Sequence, residues 1–332
     1  MLTILFNQRR MDKGKNKSME RFLKIFRKSN MSVGLYCFLN LIIIYLVILF
    51  FDGSTTRSVL YAILLYAISL VIALSPLGIK ILCWRSKAAE LTRQDEESRF
   101  SLIYKEVYRK AVILNPDIPS LENLHVYIRE NDSVQSAGIG ENVLFITSGL
   151  LRMPENQIMA VLGHELGHFS NGETYLTLLS TVGSLIIYVI IYAISIALFV
   201  ALLILGIFWR LLCLVASIVS PEMAFFGGLG QLGGLITSAG GLFKKVGSLL
   251  ASGWSKLGNF IMHHSNLEND YEADEFAVNL GYGRDLCKTI DENRGGAEGF
   301  FKQTISSDAD AEARIGNMQN NLGVDYKNLK VV

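Results

Sequence analysis

Three apolar blocks decide what this chain can fold into. Val33 to Phe51 is almost wholly apolar, a second run extends from about Ser58 to Trp84, and a third from Tyr175 to about Ser220. A helix rising about 1.5 Å per residue needs about 20 residues to cross a hydrocarbon core of about 30 Å, and each block is long enough. The 51% hydrophobic content of the 332 residues and the mean hydropathy of +0.35 follow from these blocks. The expectation is a membrane α-helical protein.

Charge gives the blocks a direction. A basic arm from Arg9 to Lys28, opposed only by Asp12 and Glu20, precedes the first block, and Arg85, Lys87, Arg93 and Arg99 follow the second. The turn between them, Asp52 to Arg57, holds one arginine. By the positive-inside rule both ends of this hairpin face the cytoplasm, which places the protein in a cytoplasmic membrane. The basic arm suits anionic lipid or, more plainly, a solvated tail. Pro76 is expected to bend the second span. The third block exceeds one crossing and has two readings: two spans near Tyr175–Val200 and Ala201–Ser220, or one long helix projecting from the bilayer.

The net charge of +1 gives no basic field for nucleic acid. Cys37, Cys83, Cys213 and Cys287 are scattered, with no disulfide framework and no Cys-x-x-Cys metal spacing.

Residues 85–174 change character. Charged helical sequence leads to the alternating Leu124 to Arg129 and the apolar Asn142 to Thr147, both read as strands of a small α+β unit, with Gly138 to Gly140 near their connection. His125 lies in a strand pattern and reads as structural. Beyond the third block, Phe243, Val246, Leu250, Trp254, Leu257 and Ile261 recur at helical spacing within glycine-rich sequence, which describes an amphipathic helix. No strand precedes these glycines and no Gly-Lys-Ser/Thr follows, so they are not a phosphate-binding loop. The resulting division is an arm (1–30), a hairpin (31–84), a first catalytic part (85–174), one or two spans (175–220), a glycine-rich segment (221–262) and a second catalytic part (263–332).

Chemistry enters at His164-Glu165-Leu166-Gly167-His168. Residues four apart share one helical face, so both imidazoles can reach one metal ion while Glu165 reaches the water beside it. Pro154 and Glu155 suit the start of that helix, Ile158, Val161, Leu162, Leu166 and Phe169 continue it, and Ser170-Asn171-Gly172 suits its end. The plain alternative is a pair of core histidines bonded to carbonyls.

A peptidase site of this kind takes a third protein ligand. The candidate stretch runs from Asn269 to Ala277. Asp270 and Asp274 share a face, whereas Glu272 is turned about 200° from Asp270. The first pair suits a ligand and a carboxylate that orients a histidine. An acidic solvated helix face is the alternative.

Gly149-Leu150-Leu151, the run Ala160 to His168, the flanking spans and Tyr271-x-Ala273-Asp274 together resemble the integral-membrane zinc metalloproteases of the HtpX and CAAX prenyl protease type, over about residues 100–320. The resemblance implies a gluzincin-like α+β metalloprotease domain, helix-dominated with a small β-sheet, that binds Zn2+. Its third ligand is a glutamate in Glu-Tyr-x-Ala-Asp, and Asp270 stands at that place. Aspartate is shorter by one methylene, about 1.5 Å of reach, so the helix must come closer, bridge through water or turn to offer Glu272 instead.

The resemblance also sets Ser136-Ala137-Gly138 where an edge strand binds substrate backbone, making Ala137 and Gly138 substrate-binding residues. Arg314-Ile315 matches the end of a His-Pro-x-x-x-x-Arg-Ile motif, with Asp308 in place of its histidine. Arg314 would stabilise the oxyanion or hold Asp274, unless it is a surface arginine. His263 and His264 lie outside the family pattern. The expectation is a membrane-anchored zinc endopeptidase with His164, His168 and Asp270 on the metal and Glu165 as base. Its partners are protein or peptide substrates, membrane proteins in quality control among them, and the lipid bilayer. The alternative is a non-catalytic scaffold or regulator that keeps the histidine helix but binds metal poorly through Asp270.

Overall fold

The computed structural model describes residues 27, 30–92, 94–219, 231–294 and 308–325. The basic arm therefore lies outside the described residues except for Arg27 and Asn30.

Helices α1 (Met31–Asp52) and α2 (Thr55–Leu74) are joined through Gly53, whose φ of 66° suits only a residue without a β-carbon. After α2 the Ser75 hydroxyl accepts from the Leu77 N–H, and Pro76 begins α3 (Pro76–Ser86). The second apolar block is thus two helices, not one bent span. Pro76 has no N–H for the preceding turn, whereas at the first helical position it needs none.

Strand β1 (Ala89–Glu90) and helix α4 (Gln94–Leu114) lead into β2 (His125–Arg129), β3 (Ser136–Ile139) and β4 (Val143–Thr147), which form a four-stranded sheet in the order β1-β2-β4-β3. β2 and β4 are parallel and the outer pairings antiparallel, so the sheet is mixed. β4 is buried along its whole length, as its unbroken apolar run requires. Leu144 and Ile146 face a core shared with Tyr104, Ile158, Leu162 and Ile290. Val143 and Phe145 face the other way, onto Ala73, Leu82 and Leu178. This is the two-residue alternation of a strand covered on both faces. β3 is left at the edge of the sheet.

The short α5 (Ser148–Leu151) precedes α6 (Glu155–Asn171), the helix with both histidines. After α7 (Thr174–Thr181) and a turn comes α8 (Leu185–Val219), 35 residues long. It runs unbroken through Val200 and Ala201, so of the two readings of this block the helix follows the single long one. Neither residue punctuates the chain, and no glycine, proline or polar cluster lies beside them. Among the described residues three stretches, Met31–Asp52, Thr55–Leu74 and Thr174–Val215, are long and apolar enough to cross a membrane.

α9 (Gln231–Asn279) is 49 residues long and joins the glycine-rich and acidic segments in one helix. α10 (Gly283–Glu292) and α11 (Asp308–Asn320) complete the chain. The fold is helix-dominated with a small mixed sheet.

The described residues cluster into two compact units. One draws on Met1–Leu41, Ile63–Gly183 and Ile261–Val332 and contains the sheet and both core clusters. The other draws on Ile42–Ala62 and Ser184–Phe260. Within it a β-carbon on Gly247 would stand 3.3 Å from the Ser195 hydroxyl, and the Phe199 and Phe243 rings are 5.8 Å apart. α8 and α9 therefore pack closely there.

Candidate metal centre

α6 positions the histidines through ordinary helical rules. The Pro154 carbonyl accepts from Gln157 and Ile158 at its start, and Glu155 places a negative charge in the first turn. At its end Gly172 takes a φ of 77° and donates to the His168 and Phe169 carbonyls. The turn folds Glu173 back beneath the helix, where its N–H also reaches the His168 carbonyl.

The two imidazoles meet edge to face, with Nε2 atoms 3.1 Å apart. Asp270 Oδ1 stands 3.8 Å from His164 Nε2 and 3.5 Å from His168 Nε2. Each ring is held from behind by a carboxylate: His164 Nδ1 lies 2.8 Å from Asp274 Oδ1, and His168 Nδ1 3.0 Å from Glu173 Oε2. A proton on each Nδ1 serves these carboxylates and leaves both Nε2 atoms as lone pairs.

Two imidazole nitrogens and a carboxylate oxygen then converge on one point, an arrangement suited to a bound cation, whether a metal ion or a proton shared with Asp270. Tetrahedral zinc with bonds of about 2.0–2.1 Å sets its ligand atoms about 3.3 Å apart, close to the separations here. The residues fit a metal ion, and His164, His168 and Asp270 form the group that could hold one. The electrostatics agree. Burial alone would lower the His168 imidazole, but Asp270 and Glu173 hold it well above the usual histidine value, so the site draws positive charge.

Asp270 reaches the histidines where α9 packs closely on α6. A β-carbon on Gly167 would stand 2.8 Å from Ala273 Cα, a separation real side chains do not adopt. Having none, Gly167 lets α9 rest on α6 one turn from Asp270. Glu272 points elsewhere: it is half-exposed and pairs with Arg27 at 3.1 Å. α9 thus offers Asp270 and does not turn to offer Glu272.

Arg314 is buried and commits its fork to Asp274, with Nε to Oδ2 at 2.8 Å and Nη2 to Oδ1 at 2.6 Å. Its Nη1 lies 3.6 Å from Asp270 Oδ2. Burial alone would raise the Asp274 carboxyl, yet the Arg314 charge and the bonds from Arg314 and His164 bring it down to about 2. Of the two roles expected of Arg314, the geometry displays the holding of Asp274.

Glu165 is almost wholly buried and accepts from the Ser136 hydroxyl at 2.6 Å and the Gly138 N–H at 2.7 Å. β3 lies where an edge strand was expected, and Ala137 and Gly138 line one cleft with Glu165, His168 and Asp270. The Gly138 N–H, however, is taken by Glu165 and is not open for strand addition.

His263 pairs with Asp310 at 3.4 Å, and His125 lies 3.9 Å from Glu90, so neither joins the cluster. The side chains of His264 and Asp308 lie outside the described residues. Glu173 and Ser136 are the contributors that sequence reasoning missed. Glu173 had a signal, a carboxylate placed directly after the helix-ending Gly172. Ser136 had none beyond its place in the strand.

Residues 117–292 match the model of peptidase family M48, a stretch covering more than half of the chain and including both histidines and Asp270. Arg314 lies beyond it. No curated protein and no solved structure matches the chain. The matched stretch carries the same His164, His168 and Asp270 that the fold draws together, and the chain belongs to peptidase family M48.

Proposed function

We propose that the protein is a membrane-anchored, zinc-dependent endopeptidase of the HtpX and CAAX prenyl protease type. The observation that carries this reading is the convergence of His164, His168 and Asp270, all ligand atoms within 4.8 Å of one another, in a cleft that also holds Glu165. Bound zinc would supply a Lewis acid for the scissile carbonyl and bring the pKa of a coordinated water towards neutrality.

The remaining chemistry belongs to the chain. Asp274 and Glu173 keep the imidazoles in the tautomer that offers Nε2. Glu165 takes a proton from the attacking water and returns it to the leaving amine. β3 offers an edge along which an extended substrate would lie, once Glu165 gives up the Gly138 N–H. Arg314 acts through Asp274.

The charge bias around the hairpin supports a cytoplasmic membrane with the metal centre on the cytoplasmic side. Because Asp270 meets the histidines, α8 and α9 must return the chain to the face it left, and their close packing suits outgoing and returning arms. The spans support membrane proteins among the substrates, with a role in their quality control.

Purified full-length protein tests the reading. One zinc per chain is expected, with casein cleavage abolished by chelator and by Glu165→Gln; absence of bound metal at neutral pH would instead favour a non-catalytic scaffold. Asp270→Ala is expected to lose zinc and Glu272→Ala to keep it. For topology, single cysteines placed near residues 55 and 160 can be labelled from either side. Modification of residue 160 only from outside overturns the orientation.

A further inference from the structure

The cleft beside the metal ligands has a second polar wall that the chemistry above leaves unused. Asn266, Asn269 and Asp270 line it from one face of α9, and Val33 lines it from the first turn of α1. Asn269 is buried, and its Nδ2 donates to Oδ1 of the equally buried Asn30 at 3.0 Å. Arg27 ties the same segment to α9 through Glu272. The chain just ahead of α1 is thus docked on the ligand helix on either side of Asp270.

Among the described residues the carbonyl oxygen of Asn269 has no partner, and neither has Glu173 Oε1 in the same lining. Buried acceptors are seldom left so, because each forfeits its hydrogen bonds to water. Both Glu165 oxygens are held by β3, and His168 pairs with Glu173 and Asp270. These two acceptors call for a donor. An extended polypeptide supplies one at every main-chain N–H. Asn30 engages the amide nitrogen of Asn269, so the group left without a partner among the described residues is the carbonyl, which selects donors over acceptors.

We propose that Asn269, oriented by Asn30, is a substrate-positioning residue whose side-chain carbonyl accepts a main-chain N–H of the bound polypeptide. This rests on the peptidase reading and sharpens it. The substrate is gripped along its backbone from the metal-ligand helix as well as from β3, and the chain preceding the first apolar helix helps to build the grip.

The test uses zinc-loaded, full-length protein and a fluorogenic peptide spanning a mapped casein cleavage site. Each non-scissile backbone N–H is replaced in turn by an ester oxygen. In the wild type one position is expected to lose roughly three- to tenfold in kcat/KM. Asn269→Ala should lose a similar factor on the parent peptide, keep one zinc per chain, and show no further loss at that position. Asn30→Ala, which leaves the cleft groups in place but releases the Asn269 amide, should blunt the same penalty. An ester penalty in both variants equal to that of the wild type overturns the proposal, as does a wild-type scan with no sensitive position. If the zinc-loaded wild type cleaves nothing, the peptidase reading itself fails, and the two failures are told apart by that control.

Discussion

The two histidines are held by carboxylates in different surroundings, and the difference shows at the level of single residues. Asp274, behind His164, is buried and bound to Arg314 through two bonds; Glu173, behind His168, lies at the edge of the cleft. Asp274→Asn would leave the buried Arg314 charge with only the longer contact to Asp270 and is expected to cost about 3 kcal/mol in denaturant unfolding of the metal-free protein. The pH dependence follows from the sign of the shift. A carboxyl lowered from 3.8 to about 2 adds stability that is present above the ordinary value and lost as pH falls through about 2. The acid limb of the stability curve should therefore flatten in Asp274→Asn. Glu173→Gln should leave the fold intact, by circular dichroism, while zinc affinity falls about 10–100-fold in competition with a chromophoric chelator, because His168 loses the group that sets its tautomer.

Between elements, the contact that decides the site is α6 against α9. Gly167→Ala would press a methyl group into the Ala273 backbone, and the helices must part to admit it. The expected result is a loss of about 1–3 kcal/mol of stability, with weakened zinc binding because Asp270 is drawn away. Gly316→Ala is the control, since a β-carbon there meets nothing within 4 Å and α11 should gain slightly from the better helix former. The comparison also shows what could be read from sequence. α6 was legible because periodicity, Glu155 and Gly172 all act within the helix they define. The choice of Asp270 over Glu272 was half legible: the helical angle separates them, but which face meets the histidines depends on Gly167, a hundred residues earlier. Glu173 carried only the signal of a carboxylate after Gly172, because five residues past His168 is the wrong face of a straight helix and only the left-handed turn at Gly172 brings it under the ring. The contact of Asn30 with Asn269 joins positions that no local pattern relates. The third apolar block left two readings open for a different reason, since hydropathy counts crossings by length and does not show where a helix ends, while α8 simply continues.

For the molecule as a whole, a metal bound only by the folded chain adds stability by mass action. At free zinc about a hundredfold above its dissociation constant the gain is about 2.7 kcal/mol, readable as a rise in unfolding temperature that chelator reverses. A chain ending at residue 260 keeps both histidines but lacks Asp270, Asp274 and Arg314, and it should retain no zinc through purification. The wide spacing of the ligands along the chain gives this a meaning in time. During synthesis the histidine helix emerges first, and its third ligand follows only after the whole apolar stretch of α7 and α8 has been made. Until α9 is complete the nascent chain has no assembled metal centre. The group that could hold a metal is thus completed only when the last of its three residues has left the ribosome.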